Sequence, residues 1–190
     1  MNALGIDLGK HGGLVLLAGD GTVRCWTRTP LSGKEYDGRG MAAALRGVLD
    51  RCSGQEIRAF VEAPATFNQR TPQALVTGIG VGRWMQALDM LNVPYQFVYA
   101  QTWVPVFAPR PKRARGKDAP AETLEQKKAR RQRDHKDSKE RLMVAARWLQ
   151  PTAVPWDSLN KVDRSGIADA LLLAEYGRRY IVHSATGADH

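Results

Sequence analysis

The sequence predicts an α/β fold in which a five-stranded mixed sheet carries helices on both faces. Two observations predict it. The first third of the chain alternates short apolar runs with glycine-rich turns, which is typical of consecutive strands. The remainder alternates helical periodicity with two further apolar runs, an order that belongs to a mixed sheet with helices on its faces. The chain has 190 residues, of which 43% are hydrophobic, so it can form the core of one domain.

The N-terminal third predicts a three-stranded antiparallel meander. Its first turn contains Gly9, Gly12 and Gly13, and its second is Gly19-Asp20-Gly21, a strong hairpin signal between apolar runs. The predicted strands are 3–8, 13–18 and 22–27.

A helix is predicted over 38–52, where apolar side chains recur at helical spacing, and a strand over 57–62. Ala63-Pro64 ends that strand, because proline cannot donate a central ladder hydrogen bond. A second helix is predicted over 72–91, with Thr71 as its N-cap and Pro72 in its first turn.

The second half of the chain predicts one more strand and two long helices. A strand over 94–99 and a short helical turn at 101–103 come first. The Pro- and Arg-rich stretch 108–121 is predicted to be a mobile loop, because it has little apolar surface to bury. The predicted elements after it are a helix over 122–149 that Pro151 stops, a loop over 151–163 and a last helix over 165–182. We therefore expect a single domain over 1–190 with a basic, mobile insertion at about 108–135.

Most of the net charge of +9 lies in one segment. Between Arg110 and Arg141 there are thirteen Lys or Arg residues and six acids. Such a segment is what contact with a phosphate backbone requires, because each neutralised phosphate releases condensed counterions. The alternative is a solvated helix face that keeps the protein soluble.

Several classes of protein are disfavoured by the sequence. No apolar stretch approaches the length needed to cross a bilayer, and no secretion signal is apparent, so we expect a cytoplasmic protein without membrane contact. Cys25 and Cys52 lack CxxC spacing, which argues against both a zinc site and a disulfide framework. Neither a GxxxxGK[ST] phosphate loop nor a GxSxG elbow is present.

Three acids distant in sequence are candidates for one functional site. Asp7 ends the apolar run of the first predicted strand, Glu62 ends the fourth strand, and Asp169 lies within the apolar last helix. A carboxylate in such a position is costly to bury alone, so the three together suggest a shared partner, most simply divalent cations. The alternative is that each is an ordinary solvated acid at the edge of its element.

The segments around these acids resemble a known family. The segments are Gly5-Ile6-Asp7-Leu8-Gly9, Val61-Glu62-Ala63-Pro64 and Ala168-Asp169-Ala170-Leu171-Leu172-Leu173-Ala174-Glu175-Tyr176-Gly177-Arg178-Arg179. In this order and at these separations they resemble the RuvC-like Holliday-junction resolvases of the ribonuclease H-like superfamily, most closely the phage-type members. The resemblance implies a ribonuclease H-like fold and a metal-dependent endonuclease. Such an enzyme would be a homodimer that resolves four-way or branched DNA by paired symmetric nicks, in the host cytoplasm or nucleoid if it is phage-encoded.

The resemblance also implies roles for the acids. Asp7 would bridge two Mg²⁺ ions, Glu62 would hold one and Asp169 the other, with Mn²⁺ able to substitute. The family usually adds a fourth acid or a histidine about one helical turn before the position of Asp169, and this chain departs from that pattern. Two alternatives are open: Asp163 supplies the fourth ligand, or Ser165 stands where a carboxylate is missing.

Residues that would contact DNA are also predicted. Lys10 follows Asp7 in the glycine-rich turn, where it either touches the scissile phosphate or faces solvent. Phe67 resembles a base-stacking wedge of the family, with a hydrophobic staple at a helix entry as the alternative. The full set of predicted DNA contacts is Lys10, Phe67, Asn68, Arg70, Lys136, Lys139 and Arg141.

Two other functions remain as alternatives at this stage. One is a catalytically impaired junction-binding protein, suggested by the missing acid near Ser165. The other is an RNA-cutting ribonuclease H-like enzyme, since the metal chemistry is the same and only groove shape and 2′-hydroxyl contacts discriminate. For the homodimer, the helix over 72–91 is the candidate interface, because Gly78, Gly80 and Gly82 give it a flat face; packing against the sheet is the alternative.

Overall fold

A computed structural model describes residues 1–52, 54–64, 72–109 and 122–181. The strands are β1 (Asn2–Asp7), β2 (Gly13–Leu17), β3 (Val23–Arg28), β4 (Leu31–Ser32), β5 (Glu35–Tyr36), β6 (Ile57–Glu62) and β7 (Tyr95–Val98). The helices are α1 (Gly38–Asp50), α2 (Pro72–Met90), α3 (Ala100–Phe107), α4 (Leu124–Leu149) and α5 (Lys161–Tyr176), and a π-helical turn over Gly177–Ile181 continues α5.

The main sheet has five strands in the order β3-β2-β1-β6-β7. Strand β2 pairs antiparallel with both β1 and β3, as the two glycine-rich turns predict. Strands β1, β6 and β7 are parallel, because helices α1 and α2 carry the chain back between them. The predicted mixed five-stranded sheet is therefore confirmed.

Helices cover both faces of this sheet, also as predicted. Leu4, Ile6 and Leu14 face one side, where they form a core with residues of α1 and α2 such as Met41 and Trp84. The opposite side packs against α3, α4 and α5 around a second core. That second core includes Ala3, Val15, Phe60, Trp103, Leu142, Ile167 and Leu171.

The structure differs from the sequence-based expectation in three elements. Strands β4 and β5 form a small hairpin, and the Tyr36 hydroxyl donates to the carbonyl of Leu8 at 3.1 Å. Helix α3 has eight residues and passes through Pro105, whose missing N–H disfavours a helix in the sequence. Helix α5 begins four residues earlier than predicted, because the Asn160 side chain accepts from the backbone N–H groups of Val162 and Asp163 and so caps the helix there.

Helix α4 contains the C-terminal part of the predicted basic insertion. Thr123 and Gln126 form a capping box in which each side chain bonds the other's backbone N–H. The helix then continues to Leu149, immediately before the Pro151 region predicted to end it. Residues 110–121 of the insertion lie outside the described residues.

Helix α5 lies directly against the centre of the sheet. A side chain at Gly5 would place its Cβ 1.9 Å from the carbonyl oxygen of Ala170 and 2.6 Å from the backbone nitrogen of Ala174. At the start of α5, a Cβ on Gly166 would lie 1.9 Å from the carbonyl oxygen of His11. Only glycine fits at these two contacts, so the backbones of β1, the β1–β2 turn and α5 hold one another at fixed distances.

None of the helices in the described ranges is both long enough and apolar enough to span a bilayer.

Substituting Gly5 with alanine tests the contact between β1 and α5. Because the added methyl group meets helix backbone that cannot move alone, we expect Gly5→Ala to lower the free energy of unfolding by ~2–4 kcal/mol in urea denaturation. The matched control is Gly47→Ala within α1, where a Cβ meets nothing within 4 Å; it is expected to stabilise by ~0.5–1 kcal/mol. Equal effects of the two substitutions would contradict the close packing of α5.

Candidate metal centre

Asp7 and Glu62 lie side by side at one edge of the sheet. Ile6 pairs with Val61 in the parallel β1–β6 ladder, so Asp7 and Glu62 occupy the next step on adjacent strands. Side chains alternate along a strand, and Phe60, two residues before Glu62, lies in the core under α5. Both carboxylates therefore belong to the sheet face that α5 covers.

The β1–β2 turn holds the Asp7 carboxylate. The backbone N–H of Gly9 donates to Asp7 Oδ1 at 3.0 Å, and the N–H of Gly12 donates to the carbonyl of Gly9 at 2.9 Å. A Cβ on Gly12 would lie 2.2 Å from the carbonyl oxygen of Asp7, so the turn closes this tightly only with glycine there. The glycines noted in the sequence thus fix the position of the acid.

Asp169 approaches the same edge from helix α5. It is buried, and its Oδ1 atom has no hydrogen-bond partner within the described part of the chain. Its Oδ2 atom accepts from the ammonium group of Lys139 on α4. A buried carboxylate oxygen without a partner is costly, so it is a ready acceptor for a cation or a polar ligand.

The three acids influence one another's protonation. Burial raises the pKa of Glu62 to about 8, and the charges of Asp7 and Asp169 act in the same direction. Burial likewise raises the pKa of Asp169 to about 6, with Lys139 opposing the rise and Asp7 adding to it. Burial also raises the pKa of Asp7, against the Gly9 hydrogen bond and the charge of Lys139. These mutual effects show that the three carboxylates share one electrostatic environment.

Lys139 supplies positive charge to this environment. Burial acts to lower the pKa of its ammonium group, but the charge and hydrogen bond of Asp169 and the charges of Asp7 and Glu62 outweigh burial and raise it. Lys139 therefore interacts with all three acids at once. The predicted role of Lys139 as a DNA contact remains a prediction. The sequence did not predict its contact with Asp169, because no local sequence pattern shows that helices α4 and α5 pack together.

The donor atoms of this site fit magnesium in chemical type. Mg²⁺ prefers carboxylate oxygens and keeps several waters, so a few carboxylates suffice to hold it. As the side chains lie, no three His, Cys, Asp or Glu residues among those described are close enough together to hold a metal ion. Asp7, Glu62 and Asp169 would hold an ion at this site only after their side chains rearrange, since Lys139 occupies Asp169 Oδ2. The two-ion assignment remains a prediction.

Asp163, the expected fourth ligand, is engaged elsewhere. Arg28 on β3 donates to its Oδ2 at 2.7 Å, Asn160 donates to the same atom at 2.8 Å, and His11 Nδ1 lies 3.4 Å from Oδ1. Burial acts to raise the pKa of Asp163, but the hydrogen bonds from Arg28, His11 and Asn160 outweigh it and lower the pKa. Asp163 thus joins the start of α5 to β3 and the first turn.

The Ser165 alternative gains weight from this arrangement. Asp163 precedes Asp169 by six residues, which turns it about 120° around the helix axis. Ser165 precedes Asp169 by four residues, a spacing that shares its helix face, and its side chain is half-buried. By spacing, Ser165 lies nearer to Asp169 on the helix surface than Asp163 does, and which residue acts as a fourth ligand stays a prediction.

The other predicted DNA contacts have varied surroundings. Lys10 donates to the carbonyl of Lys34, pairs with Glu35 at 3.7 Å and lies over the ring of Tyr36, so the β4–β5 hairpin holds it. The DNA roles of these residues remain predictions. Of the rest, Lys136 is exposed on α4, Arg141 donates to the carbonyl of Pro109 at 2.9 Å, and Phe67, Asn68 and Arg70 lie outside the described residues.

A cleft of about 730 Å³ opens from the acids between α3 and α4. Glu62, Lys139 and Asp169 line one end of it. The sequence did not indicate this cleft, because the packing of α3 against α4 is a tertiary contact without a local signal. Its walls include Gln101 and Val104 from α3 and a row of polar side chains from α4, among them Arg130, Arg131, Asp134, His135 and Ser138.

Solved structures similar to this chain include two of the same bacterial protein. One is T. thermophilus RuvC in complex with Holliday junction substrate, at a TM-score of 0.59 and 18% identity, covering 97% of this chain and 96% of that chain. Another is the Thermus thermophilus RuvC structure, at a TM-score of 0.57 and 19% identity, covering 94% and 96%. No protein-family model and no curated protein matches the chain. At this identity the likeness shows the fold, and it confirms the ribonuclease H-like architecture expected from the sequence.

The raised pKa values predict how stability depends on pH. Between about pH 4.5 and 8 the folded protein holds a proton on Glu62 that the unfolded chain releases, so stability falls as pH rises through this window. We expect a loss of ~2 kcal/mol from pH 5 to pH 8 in urea denaturation with EDTA present. Glu62→Gln should remove most of this slope. An unchanged slope in that variant would contradict the assignment, and so would a wild-type stability that rises with pH.

Removing the Lys139 charge tests whether its ammonium group stabilises the cluster formed by Asp7, Glu62 and Asp169. Lys139→Met leaves the carboxylates without a counter-charge, and we expect a loss of ~1–2 kcal/mol of stability at pH 8 in EDTA. Added Mg²⁺ should recover more stability in this variant than in the wild type. Lys136→Met, on an exposed position of the same helix, is the matched control and should change stability by less than ~0.5 kcal/mol. Equal losses in the two variants would place Lys139 outside the cluster.

Proposed function

We propose that this protein is a metal-dependent endonuclease that resolves four-way or otherwise branched DNA by paired symmetric nicks. The observation that carries the proposal is the position of three acids in a chain with the fold of RuvC: Asp7 and Glu62 end adjacent parallel strands, and Asp169 is buried on α5 with Oδ1 lacking a partner among the described residues. One of the similar structures is described as a complex with Holliday junction substrate. The basic segment of the sequence supports a nucleic-acid substrate on independent grounds.

In the proposed mechanism, Asp7, Glu62 and Asp169 would hold Mg²⁺, or Mn²⁺ in its place. Bound Mg²⁺ would activate the attacking water and offset negative charge on the reacting phosphate. The Gly9 hydrogen bond orients Asp7, and the packing of α5 on the sheet buries Asp169 and so limits the solvent around it. The Lys139 ammonium, which donates to Asp169, would stabilise the negative charge of a phosphate bound beside it.

The proposed partner in the assembly is a second copy of the chain. Paired nicks across a junction need two sites related by a two-fold axis. Helix α2 carries an exposed stripe for this contact: Leu75 is 68% exposed and Ile79 is 40% exposed. Between and beyond them, a Cβ on Gly78 or Gly82 would meet nothing within 4 Å, so another backbone has room to approach closely.

A second candidate is a junction-binding protein with impaired catalysis. The specific observation in its favour is that Asp163 is paired with Arg28 and Asn160, while the residue four positions before Asp169 on α5 is Ser165 and not an acid. In that case the second metal would be held weakly. Ser165→Asp is then expected to raise Mg²⁺-dependent cleavage at least tenfold, and an unchanged rate would count against this candidate.

An immobile four-way junction with each strand labelled tests the proposed function. With Mg²⁺ we expect paired nicks at symmetric positions, while a linear duplex of the same sequence stays uncut. Asp7→Asn and Asp169→Asn should lower the cleavage rate at least ~100-fold and leave junction affinity within about threefold, because they remove metal ligands and not the basic surface. Equal cutting of the linear duplex would refute junction specificity. Binding without cleavage in either Mg²⁺ or Mn²⁺ would select the second candidate.

Replacing Ile79 with glutamate tests the proposed dimer. A charge in the centre of the exposed α2 stripe should convert the dimer to a monomer, as measured by sedimentation equilibrium, and paired nicking should become single nicking. Ala43→Glu adds the same charge to an exposed position on α1 and should leave the dimer intact. A dimer that survives Ile79→Glu would move the interface away from this stripe.

A further inference from the structure

The cleft between α3 and α4 continues beyond the acids, and its two walls differ in character. On the α4 side, Arg131, His135, Ser138 and Lys139 line it. On the α3 side, the lining residues are uncharged: Ala100, Gln101, Val104 and Pro105. A cationic wall facing an uncharged and largely apolar wall suits a nucleic-acid strand, whose phosphates need positive charge and whose sugars and bases need apolar contact.

The α4 wall has a regular spacing. Arg131, His135 and Lys139 follow one another at intervals of four residues, so they lie along one stripe of the helix. At 1.5 Å per residue each interval is ~6 Å, close to the separation of consecutive phosphates on one strand. The stripe ends at Lys139, which contacts Asp169 in the candidate metal centre.

The charge of this stripe is available to a ligand. Arg131 and His135 are exposed, and their side chains form no ion pair or hydrogen bond with the residues that the structure describes. Their neighbour Arg130 differs, because it pairs with Glu122 at 3.1 Å and lies 4.0 Å from Asp134. The Asp134 carboxylate also lines the cleft, and Arg130 offsets its charge. The Arg131 guanidinium, two helical turns from Lys139, is therefore the positive charge on this wall that has no acidic partner among the described residues.

We propose that the α3–α4 cleft is a track for the strand that is cut, with Lys139, His135 and Arg131 each facing one of three consecutive phosphates. The proposal rests on the nuclease function proposed above, since the scissile phosphate lies at Lys139. Arg131 is then a positioning residue that acts two phosphates away from the cut. Arg133 and Lys136 do not line the cleft, and Arg133 lies about 160° around the helix axis from Arg131.

Charge-matched substitutions on the two sides of α4 test the track. Arg131→Gln and Arg133→Gln each remove one positive charge from an exposed position of the same helix. We expect Arg131→Gln to weaken junction binding about five- to tenfold in Ca²⁺ and to reduce the slope of log affinity against log salt by about 0.7–0.9. Arg133→Gln should weaken binding less than twofold.

Neutral methylphosphonate linkages locate the phosphate that Arg131 faces. In the wild type, single neutral linkages at the first and second positions on one side of the cut should each weaken binding. In Arg131→Gln the neutral linkage at the second position should cause no further loss, because the partner of that phosphate is already gone. The first position should still show its full effect, because it faces His135, which this variant retains.

The outcomes separate this inference from the proposed function. If the wild type cuts junctions but Arg131→Gln and Arg133→Gln weaken binding equally, the track is wrong and the nuclease stands. The track is also wrong if the loss of binding caused by Arg131→Gln adds fully to the loss caused by the neutral linkage at every position tested. A wild type that neither binds nor cuts branched DNA overturns both proposals. The track is supported if Arg131→Gln and a neutral linkage fail to add only when that linkage is at the second position on one side of the cut.

Discussion

The contact between helix α5 and strand β1 is the constraint on which the rest of this structure depends. Gly5 and Gly166 leave no space for a side chain between helix and sheet, so the helix backbone lies directly on the strand and on the first turn. That proximity buries Asp169 beside Asp7. Any shift of α5 would separate these acids, so the packing that stabilises the fold also sets the electrostatics of the candidate site.

Two buried acids on α5, Glu175 and Asp169, differ in how completely their carboxylate oxygens are hydrogen-bonded. Glu175, near the C-terminal end, accepts hydrogen bonds from Arg178 at 2.7 and 2.9 Å and also pairs with Arg179. Asp169, less than two turns earlier, has one oxygen without a partner and a single lysine at the other. Glu175 is a satisfied structural acid, whereas Asp169 keeps an unsatisfied acceptor of the kind found at functional sites.

The sequence predicted the strands and helices well where the periodicity was strong. The meander, the β6 strand and the long helices follow from alternating or helical patterns and from glycine-rich turns, and Asp7, Glu62 and Asp169 were found because each interrupts or ends an apolar element. Contacts between residues far apart in sequence could not be predicted from such patterns, because periodicity describes only local structure. The pairing of Asp163 with Arg28 joins residues 135 apart in sequence, and the α3–α4 cleft arises from packing alone. The β4–β5 hairpin has only two residues per strand, too few for a periodic signal.

The capping box at the start of α4 affects how quickly a polyanion is captured. Thr123 and Gln126 satisfy the first N–H groups of the helix, so the basic stripe is already ordered before any ligand arrives. A segment that folded only on binding would lose conformational entropy at that moment and bind more weakly for the same contacts. A preorganised helix avoids this cost, and its charge accelerates diffusional encounter, most strongly at low ionic strength.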